Sequence, residues 1–273
     1  MSHRIIAVIL AYNCQNEINK TLKKILKYER YFYKICVIDN NSKDKTFIKA
    51  NTFIKNRNLK KFEIIKNLKN FGQGGSHKVA FEYTLKNKGD YCLVYHGDDQ
   101  ANINDFKKIF LNKLYNNFDA ILGARFLKGS KLINYQLYRI LGNKIFNFLF
   151  SFVSNYKIYD LGSGINLYGK QIITDDFVKY IDNEMGFNYQ NLLLMIIKKR
   201  NLKFYPISWK TEDEESNVQL VSQSIKVLKI VLLFFFKNDY FKYLKITNFC
   251  NETPKSKIFN LAGERKVNWQ FRM

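Results

Sequence analysis

The sequence predicts an α/β fold: a mostly parallel central sheet with helices on both faces, followed by a helical C-terminal extension. Three observations carry this prediction. Short apolar runs alternate with segments of helical periodicity through the first half of the chain, the pattern of repeated βαβ units. Several of these runs end in acidic or turn-forming residues, at the edge where open α/β sheets place their ligand crevices. The chain has 273 residues, 47% of them hydrophobic and only 2 of them prolines, enough to bury a core as one large domain or a domain with an appendage.

The elements follow in order. Arg4 to Ala11 reads as a buried strand. Ile18, Thr21, Leu22, Ile25 and Leu26 give Glu17 to Tyr28 the spacing of an amphipathic helix. Lys34 to Ile38 is a second strand, stopped by the turn residues Asp39 to Asp44, of which Ser42 or Asp44 would cap a helix over Thr46 to Asn56. Phe62 to Lys66 is a third strand, followed by a glycine-rich loop, Asn70 to Ser76, and a helix from His77 to Asn87. Tyr91 to Tyr95 is a fourth strand, Ile103 to Tyr115 a helix and Ala120 to Gly123 a short strand. Farther on the pattern is less regular. Tyr138 to Val153 is long and aromatic, Leu202 to Trp209 is strand-like, and Val218 to Phe236 is helical. The division expected is a domain over 1–217 and a basic, aromatic extension over 218–273.

The formal charge of +22 favours anionic partners: phosphates, nucleotides, nucleic acid or acidic lipid surfaces. The abundance of Lys, Asn, Ile, Phe and Tyr is also what an AT-rich genome would produce. Cys14, Cys36, Cys92 and Cys250 form no Cys-x-x-Cys pair, which excludes the common zinc and redox motifs and fits a reducing compartment. The N-terminus runs straight into a strand with no signal-peptide pattern, and no apolar run reaches the ~18–20 residues that span a bilayer. The expected location is cytoplasmic, with peripheral attachment to the inner face of a membrane.

The chemistry concentrates in His96-Gly97-Asp98-Asp99-Gln100, directly after the fourth strand. Carboxylates at that edge can hold a divalent cation against a ligand's phosphates. Further motifs lie in order along the chain: Ala11-Tyr12-Asn13-Cys14-Gln15-Asn16-Glu17; Val37-Ile38-Asp39-Asn40-Asn41-Ser42-Lys43-Asp44-Lys45-Thr46; Asn70-Phe71-Gly72-Gln73-Gly74-Gly75-Ser76-His77-Lys78; Gly123-Ala124-Arg125-Phe126; Tyr159-Asp160-Leu161-Gly162-Ser163-Gly164-Ile165-Asn166; and Pro206 to Val218. The third is neither a Walker loop, lacking Gly-Lys-Ser/Thr, nor a dinucleotide fingerprint, because it opens the wrong βα unit.

Taken together over about residues 4 to 236, these motifs resemble the inverting family 2 glycosyltransferases of the GT-A fold. The nearest likeness is to the dolichol-phosphate-mannose-synthase-like branch. The resemblance implies transfer of a sugar from a UDP- or GDP-sugar to a polyprenyl phosphate or a growing cell-surface glycan. It implies Mg²⁺ or Mn²⁺ on Asp98, with His96 either a second metal ligand that would suit Mn²⁺ or a contact to phosphate or ribose without touching the metal. Tyr12 would stack on the nucleotide, with Gln15 beside it where many members carry Glu, and Asp39 would read the base. Gly72 would let the backbone approach the ligand, and Lys78 and Lys210 would neutralise the diphosphate. Gly97 and Gln100 would belong to the nucleotide-sugar site, Gln100 touching either the metal's ligands or the phosphate. Arg125 would offer a two-pronged fork to phosphate. Asp160 stands first among the candidates for a base, with Glu184 and Asp213 behind it; a phosphate acceptor would need none.

The sequence departs from the family pattern at Gln15, His96, Asn166 and Asn217. These departures keep open a catalytically degenerate scaffold, and the charge keeps open a basic nucleic-acid-binding protein, although no nucleic-acid motif is present and none is expected as a partner. The Phe-rich segments Ile145 to Val153 and Ile225 to Phe236 sit beside basic residues. They read as a contact with an anionic membrane, as core helices, or as a homo-oligomer interface.

Overall fold

A computed structural model describes residues 3–211, 217–237, 239–246, 254–260 and 263–268. The elements run β1 (Ile5–Ala11), α1 (Ile18–Leu26), β2 (Lys34–Asp39), α2 (Thr46–Asn56), β3 (Phe62–Asn67), α3 (Gly72–Lys86), β4 (Tyr91–His96), α4 (Lys107–Leu111) and β5 (Ala120–Ala124). They continue through β6 (Lys131–Ile133), α5 (Leu137–Ser154), β7 (Ile165–Gly169), α6 (Lys170–Ile173), α7 (Gly186–Ile197), β8 (Leu202–Pro206) and β9 (Ser208–Lys210). The last are α8 (Asn217–Phe236), α9 (Tyr240–Ile246), β10 (Lys255–Asn260) and β11 (Gly263–Asn268).

The main sheet has the order β11-β10-β3-β2-β1-β4-β7-β5-β8. Strands β1 to β4 pair in parallel, as do β5 and β8. The strongly apolar β1 shows why the sheet is covered on both faces. Its Ile6, Val8 and Leu10 enter one core with residues of α3, α5, α7 and α8, while Ile5, Ala7 and Ile9 enter the other with residues of α1 and α2. Alternate side chains of a strand point to opposite faces, so one apolar run builds two cores.

The fold class is the one expected, and several elements differ from the sequence reading. Strand β7 was not anticipated. It runs antiparallel between β4 and β5 and joins the two parallel halves. The helix expected over Ile103 to Tyr115 is broken into a 3₁₀ turn (Ile103–Phe106), the short α4, and a second 3₁₀ turn (Leu114–Asn117). Lys113 at φ +49° interrupts helical geometry there. The run Leu202 to Trp209 is two strands, β8 in the main sheet and β9 paired with β6 in a small second sheet, divided after Pro206. The extension is helical through α8 and α9, but β10 and β11 are a hairpin laid antiparallel on β3. That hairpin covers a sheet edge that would otherwise carry unpaired backbone groups.

The glycine-rich loop is the clearest local correction. Helix α3 begins at Gly72, with φ +72°, so Gly74 and Gly75 lie inside its first turns. Their role is contact with protein. A Cβ added to Gly74 would sit 2.6 Å from the Phe187 Cβ and clash with the Asp182 carbonyl, and the Gly75 N–H donates to the Asn183 carbonyl at 2.9 Å. Gly74→Ala therefore sets two effects against each other. Helix propensity favours Ala by roughly 0.5–1 kcal/mol, and overpacking costs about 1–3 kcal/mol. Overpacking should win, lowering the urea midpoint; a raised midpoint would contradict the close approach of Asp182 to α3.

Candidate functional site

The register of the parallel strands assembles one edge. Ala11 pairs with Asp39 and Leu10 with His96, so the loops after β1, β2 and β4 leave the sheet side by side. The first two loops clasp each other. The Asn13 N–H donates to Ser42 Oγ at 3.0 Å, and the Lys43 N–H donates to Asn13 Oδ1 at 2.9 Å. The Gln15 N–H donates to Asp44 Oδ2, and the Lys45 N–H donates to Gln15 Oε1, both at 3.1 Å. The Gln15 amide oxygen is thus engaged in joining two loops. Tyr12, 43% exposed, stands at their mouth.

Asp39 is fully buried at the end of β2. Its Oδ2 accepts from the Ser42 N–H at 3.2 Å, while the buried Oδ1 accepts no hydrogen bond. Burial raises the pKa of this carboxyl, an effect that Ser42 and Lys66 only partly offset. A buried carboxylate oxygen without a donor is costly, and a ligand N–H would relieve that cost. Next to it, Asn40 donates to Asn70 Oδ1 at 2.7 Å and to the Gly72 carbonyl at 3.1 Å, which fixes the start of α3 beside β2.

The loop after β4 holds the acidic motif. Gly97 lies against Leu10 and Cys14, where a Cβ would come within 3.2 Å of the Leu10 carbonyl oxygen. Its own N–H donates to that carbonyl at 2.8 Å. Asp98 Oδ1 accepts from the Gln100 N–H at 3.2 Å. Asp99, at φ +59°, pairs with Lys24 of α1 at 2.6 Å. The Gln100 carbonyl accepts the Lys210 N–H at 2.9 Å, which brings β9 and the exposed Lys210 to the same edge. A cleft of about 270 Å³ opens between Lys20, Lys24, Asp99, Trp209 and Lys210.

His96 Nε2 lies 3.1 Å from the Gln73 amide nitrogen. An amide nitrogen only donates, which assigns the ring proton of His96 to Nδ1. Burial, with the Arg125 charge added, lowers the His96 pKa to about 4. One helical turn beyond Gln73, His77 accepts no such contact at Nε2; its Nδ1 lies 2.9 Å from the Gln73 carbonyl, and its ring stacks on Phe187. Burial lowers the His77 pKa to about 3, with His96 contributing. Both rings are neutral at pH 7. Their stabilising contribution is complete above the unfolded value of 6.5 and is lost as pH falls toward about 4 and about 3. His77→Gln should flatten the acid limb of a stability–pH curve by up to about 1.4 kcal/mol per pH unit; an unchanged slope would mean that His77 titrates normally.

On the other side of β4, Arg125 and Asp160 bind each other. The Asp160 carboxylate accepts from the Arg125 backbone N–H, Nε and Nη2, each at 2.8 Å, and from the Gly162 N–H at 3.2 Å. Arg125 Nη2 also donates to the Gly162 carbonyl, and Nη1 reaches the Tyr135 hydroxyl at 3.4 Å. The guanidinium lies 5.0 Å from the Trp209 ring centre. Burial pulls the Arg125 pKa down, but Asp160 outweighs it and holds it above its ordinary value. The expected phosphate fork is therefore spent on Asp160, and the expected base is saturated by donors. Asn166 is also structural: it accepts from the Gly123 N–H and donates to the Ser163 carbonyl, both at 3.1 Å.

Lys78 is the plainest correction. It is buried, and its Nζ donates to the Ile181 carbonyl at 2.6 Å, to Asn183 Oδ1 at 2.8 Å and to the Lys179 carbonyl at 3.3 Å. It ties α3 to the segment before α7 and does not face the edge as a phosphate ligand. Glu184 is exposed beside Gly72, and Asp213 lies outside the described residues. Gln73, His77, Tyr135 and Trp209 were not anticipated at the site. For Gln73 and His77 a signal existed, since positions four apart on a helix share one face.

Asp98 offers a single carboxylate, the kind of oxygen ligand that hard divalent cations take. Among the described residues no three His, Cys, Asp or Glu side chains converge on one point. A metal there would complete its coordination with phosphate oxygens and water, as Mg²⁺ commonly does. His96 is differently placed: a cation on its Nε2 would first have to displace the Gln73 amide.

Comparison with known proteins gives a consistent result. The family described as Glycosyl transferase family 2 matches residues 6–177. An uncharacterized protein of Methanocaldococcus jannaschii is 28% identical over 233 residues, covering 83% of this chain and 89% of that protein. A dolichyl-phosphate beta-glucosyltransferase of Dictyostelium discoideum is 29% identical over 111 residues, 40% of this chain and 32% of that protein. Among solved structures, glucosyl-3-phosphoglycerate synthase from Mycobacterium tuberculosis with Mn²⁺, UDP and phosphoglyceric acid superposes with a TM-score of 0.65 at 12% identity, over 87% of this chain and 80% of that one. The same enzyme with Mn²⁺, UDP-glucose and phosphoglyceric acid gives a TM-score of 0.63, over 87% and 81%.

Proposed function

The chain belongs to glycosyl transferase family 2 and is a glycosyltransferase of the GT-A fold; on that premise we propose that it moves a sugar, with inversion, from a nucleoside-diphosphate sugar to a lipid-borne phosphate. The observation that carries the donor half is the buried Asp39 Oδ1 without a hydrogen-bond donor, at the same strand edge as Tyr12 and Asp98. A ring N–H of uracil or guanine would supply that donor, while the exposed face of Tyr12 stacks on the nucleotide, a contact worth ~1–3 kcal/mol. Asp98 would hold Mg²⁺ or Mn²⁺, which when bound neutralises the charge developing on the departing diphosphate. Lys210, placed beside Gln100 by the backbone pairing, would add a positive charge there. His96 and Gln73 line the same edge as neutral hydrogen-bonding groups.

The state of Asp160 supports a phosphate acceptor. A hydroxyl acceptor needs a base near neutral operating pH, whereas a phosphate is already ionised. Asp160 has both oxygens engaged by Arg125 and Gly162, which leaves neither open to an incoming hydroxyl. The Dictyostelium relative named above acts, by its name, on dolichyl phosphate, which agrees in kind. On this reading the protein belongs to the branch that resembles dolichol-phosphate-mannose synthase and supplies sugar for cell-envelope glycans.

The test is thermal stabilisation by UDP and GDP, each with Mn²⁺, Mg²⁺ or chelator. A nucleotide at 100 times its dissociation constant should add ~2.7 kcal/mol of stability, and chelator should remove most of it. Asp39→Asn should weaken the nucleotide by about 1.5–3 kcal/mol, roughly ten- to a hundredfold, while the unliganded protein holds or gains stability because a buried charge is gone. Folded protein that responds to neither nucleotide would refute the donor assignment.

A further inference from the structure

Helices α5 and α8 pack against each other and against α7, and each turns an apolar stripe to solvent. On α5 the stripe is Leu141, Ile145, Phe148 and Phe152, at intervals of four, three and four, with Phe148 68% and Phe152 70% exposed. The opposite side of α5 buries Asn147 and Phe150. On α8, Leu228, Leu232 and Phe235 face outward, while Val227, Ile230 and Val231 enter the core. Single exposed apolar residues need no explanation, but two adjoining stripes do, because soluble surfaces rarely carry contiguous apolar patches of several hundred Å².

The charge beside the stripes identifies what covers them. Neither α5 nor α8 contains an aspartate or glutamate. Lys144 on α5, Lys226 and Lys229 on α8, and Lys242 and Lys245 on α9 are exposed. A second copy of the chain would set lysines against lysines. An anionic lipid surface meets both requirements: apolar side chains enter the headgroup–acyl boundary while lysines pair with acidic headgroups. None of the described helices is long and apolar enough to cross a membrane. We propose that the outer face of α5 and α8 is a docking surface for an anionic bilayer, with the helices lying in its interface. The first residue of α5 follows Tyr135 by two positions, and the Tyr135 hydroxyl contacts Arg125 Nη1 and accepts from Asn143 Nδ2. The docked face therefore ends beside the Arg125–Trp209 side of the strand edge, where a lipid-borne acceptor would arrive.

The docking claim is independent of sugar transfer and is tested without it. Purified full chain is sedimented with vesicles of phosphatidylcholine mixed with phosphatidylglycerol, and with vesicles of phosphatidylcholine alone, at low and high salt. The expected result is binding to the mixed vesicles that weakens with salt. Phe148→Ser with Phe152→Ser should reduce binding about tenfold or more, and Lys226→Glu with Lys229→Glu should remove the preference for anionic lipid. Both pairs are exposed, so melting temperature and nucleotide-induced stabilisation should stay as in the wild type, which separates failure of docking from failure of folding or of the donor site. Folded wild type that ignores the mixed vesicles would overturn the proposal. So would a dimer in light scattering that the Phe148/Phe152 pair dissolves without changing vesicle binding.

Discussion

Replacing Asp160 with alanine should cost about 3–5 kcal/mol of unfolding free energy, the loss expected when one partner of a buried ion pair is removed. The Asp160 side chain is 1% exposed and that of Arg125 11%, so water cannot take over the guanidinium's three contacts with the carboxylate and with the backbone around it. Denaturant unfolding monitored by tryptophan fluorescence measures the loss directly. The double variant Arg125→Met, Asp160→Leu should recover much of it, since an apolar pair of similar volume replaces a buried ion pair at little cost. A loss below 1 kcal/mol for Asp160→Ala would show that the pair is solvated and would return Arg125 to the list of phosphate ligands.

Asp98→Asn should reduce kcat/KM for sugar transfer by a hundredfold or more, about 2.7–4 kcal/mol of transition-state stabilisation. Asparagine preserves the shape of the side chain and an oxygen for the Gln100 N–H, but not the negative charge that a divalent cation requires. The unliganded protein should therefore melt within a degree or two of wild type, while the metal-dependent part of nucleotide stabilisation disappears. Full turnover in Asp98→Asn, with the metal requirement intact, would move the cation elsewhere. The same variant of Asp99 is an informative comparison, because the Asp99 carboxylate is already paired with Lys24.

Much of the molecule was legible in the linear sequence because its signals are local. The apolar runs that became β1, β2, β3 and β4 carry period and length within themselves, and so do α1 and α2. That Asp39 and His96 would stand at one edge was foreseeable because a parallel sheet delivers the ends of its strands to one edge whatever else the fold does. The less regular half was harder to read. Strand β7 is five residues long and antiparallel, and its pairing with β4 and β5 is non-local. The hairpin of β10 and β11 is basic and polar, and it is a strand pair only because β3 offers an open edge.

The roles of three residue types could not be assigned from the sequence at all. Lysine, arginine and glycine each have a ligand-binding use and a structural use, and the choice depends on neighbours remote in sequence. Lys78 faces carbonyls 101 and 103 residues away, and Arg125 meets a carboxylate 35 residues away. Gly74 makes room for the segment ahead of α7, and a Cβ on Gly75 would meet Phe71. What the sequence by itself determined is the alternation of strands and helices and the position of carboxylates at strand ends, because hydrophobic period and turn chemistry act over a few residues. Only the tertiary structure decided which charged groups are already neutralised by protein and which face the open edge. Burial and pairing of a charge are set by whichever distant segment packs against it.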